Sequence, residues 1–96
     1  MPKATRKEDC CTGHDACPPV KLAEGSPNVF INGRSAGRVG DKYEPHSCED
    51  HGSHQDRISS GSATVYINGK RAGRVRDKVE IGGSVRDGSP NVYIGG

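Results

Sequence analysis

A chain of 96 residues in which 30% are hydrophobic and 4% aromatic cannot build a large apolar core. Its formal charge of +2, from 14 basic and 12 acidic residues spread without interleaved aromatics, is too balanced to imply nucleic acid or an anionic membrane as a partner. Fourteen glycines and six prolines favour tight turns over long helices. A chain this short and polar needs a staple: metal, disulfide or partner.

The N-terminus, "MPKATRKEDCC", carries charge with no apolar segment behind it, and no run approaches the ~18 apolar residues of a membrane span. The chain is therefore expected to be made in the cytoplasm without a signal peptide. In that reducing compartment Cys10, Cys11, Cys17 and Cys48 read first as metal ligands or free thiols. A disulfide framework is the lesser expectation, and the adjacency of Cys10 and Cys11 counts against it.

In chain order, "ATRKED" (4–9) reads as a strand, followed by a loop over about 10–24. "GSPNVFINGRSAGRVGD" (25–41) is the first full repeat segment, and a second loop spans about 42–60. "GSATVYINGKRAGRVRD" (61–77) matches the first segment at 11 of 17 positions. After a third loop, about 78–87, "GSPNVYIGG" (88–96) is the front half of a third copy. Its missing back half stands at the other end, where Ala4, Arg6 and Asp9 align with the Ala, Arg and Asp of "AGRVGD" and "AGRVRD". The chain thus reads as three permuted units. Each is a strand "A-x-R-x-x-D", a loop, and a strand "G-S-x-x-V-x-I". Asn32-Gly33 and Asn68-Gly69 predict type I′ turns, which need positive φ at both central residues.

Val29, Ile31, Val65, Ile67, Val92 and Ile94 alternate with Phe30, Tyr66 and Tyr93. Period two predicts one face meeting at a shared centre and another carrying the aromatics. One unit cannot bury its apolar face alone, so three predict a pseudo-threefold body with function in the loops.

All four histidines lie in the first two loops: His14 in the first, and His46, His51 and His54 in the second. If the units converge at an apex, His14 meets the second-loop cluster there. Three His and one Cys would close a tetrahedral zinc shell and leave no open position for substrate. Spacing alone leaves zinc and a solvated polar loop about even. The gathering of every histidine into two loops of a chain with little core favours zinc. A Cys48–His thiolate pair is the other chemical reading. It lacks a strand–turn–helix elbow to present the thiol and a domain large enough to form a cleft. Glu44, Glu49, Asp50 and Asp56 read first as solvated surface or as support for the site, with metal ligation as the lesser alternative.

The two "GS-x-x-V-(F/Y)-ING-x-x-AGRV-x-D" segments, the "EPHSC…H" loop and the closing "GSPNVYIGG" resemble PAAR-repeat proteins over about residues 4–96. The resemblance implies a single all-β domain over residues 1–96. It would be a small cone of three pseudo-threefold β-hairpin repeats with a zinc site near the apex. The family caps the trimeric β-helical spike of contractile injection machines, in phage tails and type VI secretion systems, so the implied role is a non-enzymatic, membrane-piercing tip. Carried over by position, one structural zinc would be held by His14, His46, Cys48 and His54. His51 is the alternative to His54, and Cys10, Cys11 or Cys17 could replace Cys48. The motif Pro-Ala-Ala-Arg stands here as Ser35-Ala36-Gly37-Arg38 and Arg71-Ala72-Gly73-Arg74, and Ile81-Gly82-Gly83 replaces the "CGG" of many relatives. The expected partners are one trimeric spike protein per tip, an effector on the flank, and the target membrane on piercing. No long extension is visible, so no fused toxin domain is expected. The protein is expected in a virion tail spike or secreted with the apparatus. A free-standing zinc-binding adaptor that recruits cargo is the alternative function.

Overall fold

Asn32 and Gly33 take φ of 54° and 79°, and Asn68 and Gly69 take 55° and 77°. In the computed structural model, which describes residues 1–14, 17–48 and 52–96, these pairs form the two predicted turns. The first joins β1 (Phe30–Ile31) to β2 (Arg34–Ser35). The second long loop contains β3 (His46–Cys48) paired with β4 (Gly52–His54). The second Asn-Gly turn joins β5 (Tyr66–Ile67) to β6 (Lys70–Arg71). All three pairs are antiparallel, and no helix occurs among the described residues.

The segments "A-x-R-x-x-D", predicted as strands, are instead single bridges followed by a turn. Ala4 bridges Arg74, Ala36 bridges Arg6, and Ala72 bridges Arg38. Each alanine thus pairs with the arginine of another unit, and the pairings close a cycle. A chain that changes neighbour every few residues cannot form a long ladder. The turn that follows explains the Asp. Asp9, Asp41 and Asp77 each accept the backbone N–H and the Nε–H of the arginine three residues earlier, at 2.8–3.1 Å. Between them Glu8, Gly40 and Arg76 hold φ of 78°, 95° and 79°.

The units meet in a closed triangle of backbone hydrogen bonds. Thr5 N–H donates to the Gly73 carbonyl (3.1 Å), Gly73 N–H to Gly37 (2.9 Å), and Gly37 N–H back to Thr5 (2.9 Å). A Cβ at Gly37 would lie 2.8 Å from Thr5 Cγ2, so a side chain at one of the three positions crowds the others. This accounts for glycine in the position of the second alanine of the family motif.

Two small apolar layers form the core. One contains Ala4, Ala36, Ala72, Ile31, Ile67 and Ile94, and the other Cys11, Tyr43, Val79, Leu22, Ile58 and Val85. Each unit gives two residues to each layer. The predicted outward aromatics are outward: Phe30, Tyr66 and Tyr93 are 58%, 55% and 50% exposed. The inward face is narrower than period two predicts, because Val29 and Val65 sit exposed at the rim. Their N–H groups are captured by Ser26 and Ser62 Oγ at 2.9 Å, in a turn that precedes the strand. Ser89 does the same for Val92, and all three serines are buried. The third copy of the repeat segment, divided between residues 88–96 and 4–9, is closed by a Lys3–Tyr93 bridge and by the Ala4 N–H bond to the Val92 carbonyl (3.0 Å). The body is elongated, 36 × 24 × 22 Å.

Candidate metal centre

The β3–β4 register places His46 directly opposite His54 and Cys48 opposite Gly52. Cross-strand partners share a face, and period two puts Cys48 on the face of His46. His46 and Cys48 are buried while Ser47 between them is exposed, so this face points inward. The first loop arrives by another route. His14 and Cys17 form an antiparallel bridge with N–O distances of 3.1 and 2.7 Å, which sets their side chains side by side. The third loop contributes backbone: a Cβ on Gly82 would lie 3.1 Å from the His14 Cβ.

The two loops bring three imidazoles together. His46 Nε2 lies 2.8 Å from His54 Nε2, which lies 3.3 Å from His14 Nε2. His46 Nδ1 lies 2.9 Å from the Pro18 carbonyl. A carbonyl only accepts, so Nδ1 carries the proton and the Nε2 lone pair faces the cluster. A backing partner on the second ring nitrogen is how metal-bound histidines are oriented. Four ligands around zinc at 2.0–2.1 Å would be separated by roughly 3.3 Å. The observed Nε2 spacings approach that value. The ligand atoms of His14, Cys17, His46 and His54 all lie within 4.8 Å of one another, so this His/Cys group could hold a metal ion.

The sulfurs differ from expectation. Cys17 and Cys48 are joined as a disulfide, with Cα atoms 4.9 Å apart, where the sequence pointed to thiols. The pairing needs two loops 31 residues apart in sequence to meet at one point, and no local spacing signals that. Cys10 and Cys11 are free, and Cys11 lies in the second core layer. His51, Glu49 and Asp50 lie outside the described residues.

Asp56, read from sequence as solvated or supporting first and as a ligand second, has a side chain only 3% exposed. Its carboxylate lies 3.1 Å from His14 Nε2, 3.4 Å from His46 Nε2 and 3.3 Å from His54 Nε2. Tyr43 N–H donates to the Asp56 carbonyl (2.9 Å) and anchors this stretch. The available signal was spacing: Asp56 follows His54 by two, which returns an extended chain to the same face. A flank groove of about 640 Å³ is lined by Met1, Lys3, Val75, Arg76, Arg86 and Tyr93 among others, and includes no member of the cluster.

A family model for the PAAR motif matches residues 24–87. The chain belongs to the PAAR motif family. PAAR proteins are structural proteins of the spike tip in contractile injection systems. The match spans both full repeat segments and the whole histidine-bearing second loop, while His14 precedes it. No curated protein matched the chain. In this PAAR chain the three histidines converge from two loops as the repeat implied, and the buried carboxylate is the addition that the resemblance did not supply.

Proposed function

We propose that the protein caps the trimeric β-helical spike of a contractile injection machine as one cone per trimer. The observation that carries this reading is the closed threefold body. Its three units present Phe30, Tyr66 and Tyr93 at equivalent exposed positions. Aromatics exposed at three equivalent positions suit a partner with threefold symmetry. The whole chain acts as a single domain, since every unit contributes to both core layers.

At the other end zinc acts as a staple. His14, His46 and His54 are its nitrogen ligands, and Cys48 or the adjacent Cys17 supplies sulfur when reduced. N/S donors and a closed tetrahedral shell favour zinc over harder cations. The centre ties together two long loops that also share an apolar layer through Cys11, Leu22, Tyr43 and Ile58. The role is mechanical: the tip meets the target membrane on piercing, and the flank is open to carry an effector. The protein is made in the cytoplasm and leaves it within the apparatus.

The test is stoichiometry. Mixing the chain with a trimeric β-helical spike and weighing the complex should give one chain per trimer. A Phe30→Ser/Tyr66→Ser/Tyr93→Ser variant should fold and lose the complex. Three chains per trimer, or no complex with wild type, would overturn the capping role.

A further inference from the structure

We propose that Asp56 is itself a ligand of the apical centre, completing a shell of three histidines and one carboxylate that holds a divalent cation while Cys17 and Cys48 are joined. The proposal rests on the reading of this cluster as a metal centre and extends it to a state without thiolate.

Four observations support it. The Asp56 carboxylate is buried and lies within 3.1–3.4 Å of all three imidazole Nε2 atoms. These are the same nitrogens that face one another, whereas a residue that merely orients a ligating histidine bonds its other ring nitrogen. His46 already has such a partner in the Pro18 carbonyl. Asp56 Oδ1 accepts no well-formed hydrogen bond among the described residues, so one carboxylate oxygen is buried with acceptor capacity to spare. Finally, the disulfide removes both nearby thiolates from the donor set. Three imidazoles alone would leave a dication one ligand short of a tetrahedron and without a compensating anion. A carboxylate supplies both, and it carries the same single negative charge as the thiolate it replaces.

The two states interconvert by a balanced step. Cys17 and Cys48 thiols react with one low-molecular-weight disulfide by two exchange reactions. The protein gains one S–S bond, and two electrons and two protons pass to the reagent, which leaves as two thiols. The cation stays on the three histidines while Asp56 takes the vacated position. By donor type it is zinc.

The experiment uses the full chain, metal-free, either reduced or oxidised with glutathione disulfide. The oxidised form is verified by loss of two of four titratable thiols. Each is titrated with Zn²⁺ against a chromophoric chelator, and with Co²⁺ for its spectrum. Oxidised wild type is expected to bind one Zn²⁺, and its Co²⁺ form to give tetrahedral ligand-field bands without sulfur-to-cobalt charge transfer. The reduced form should add that charge-transfer band. Asp56→Asn should weaken Zn²⁺ binding by the oxidised form more than about 100-fold, beyond the ~10–100-fold of a lost backing hydrogen bond. A Cys17→Ser/Cys48→Ser variant, which removes the redox chemistry, should still bind one Zn²⁺ and lose it on adding Asp56→Asn. If only the reduced protein binds, the Asp56 assignment fails and the metal centre stands. If oxidised Asp56→Asn binds as tightly as wild type, the assignment fails too. If neither redox form binds, the metal reading itself fails.

Discussion

Tyr43 shows how much one residue of this small core decides. Its side chain is fully buried in the second layer, yet its hydroxyl has no hydrogen-bond partner among the described residues. An unsatisfied buried hydroxyl costs about 1–3 kcal/mol. Tyr43→Phe keeps the ring and removes that cost, so the variant should be more stable than wild type by about 1 kcal/mol in urea denaturation. Burial also pushes the phenol well above its ordinary 10.0. Burial resists ionisation of the phenol, so this group leaves stability unchanged below pH 10 and lowers it as the pH rises above 10 toward the folded-state value. Wild type should show that alkaline loss in thermal melts and Tyr43→Phe should not; equal profiles would assign the loss elsewhere. Neither Tyr43 nor Asp56 announces its burial in sequence. Each stands in a polar stretch, and burial there comes from the meeting of loops, which no local pattern encodes. The histidines were easier to read, because all four of them fall in two loops.

The repeating element is the Arg–Asp turn, and its three copies test how a buried ion pair behaves. The Arg38 and Asp41 side chains are 10% and 3% exposed, and Arg38 also donates to Asn68 Oδ1 (3.1 Å) and the Gly25 carbonyl (3.2 Å). Removing one partner strands the other charge, which costs roughly 3–5 kcal/mol. Asp41→Ala should therefore lose at least about 3 kcal/mol by chemical denaturation. Arg86 and Asp87 are 49% and 42% exposed, so Arg86→Ala should leave stability unchanged. Similar losses in the two variants would mean that the turn owes its stability to backbone geometry. The sequence displayed this element as "A-x-R-x-x-D" without revealing its form. Alternation and spacing suggested a strand, but the Asp serves a turn and its backbone partners come from another unit. The Asn-Gly hairpins were legible because positive φ at both positions is a local demand.

For the whole molecule, the two ends depend on different forces. The Ala/Ile layer and the Thr5–Gly73–Gly37 triangle need no metal. The loops around residues 10–24 and 42–60 meet at the histidine cluster. Stripping metal from the reduced protein should therefore raise amide exchange in those loops and leave Ala4, Ala36 and Ala72 protected. A uniform rise over the whole chain would mean that the centre supports the entire fold. His14→Ala should reproduce the stripped pattern and lose zinc, as read by elemental analysis. The threefold plan was visible from repeats alone. The axial contacts were not, because Thr5, Gly37 and Gly73 occupy equivalent positions without being the same residue.

The bridge between Lys3 and Tyr93 makes the chain a clasp. One of the three copies of the repeat segment is assembled from residues 88–96 and 4–9, with Ile94 N–H donating to the Pro2 carbonyl at 2.9 Å. The loop this contact closes runs from Pro2 to Ile94, so the ring stays open on the ribosome until Ile94 emerges. Closure of such long loops is slow. A tip built this way is fastened only after its first two full repeat copies are made, and a chain without residues 88–94 presents those two copies with nothing to cover their third side.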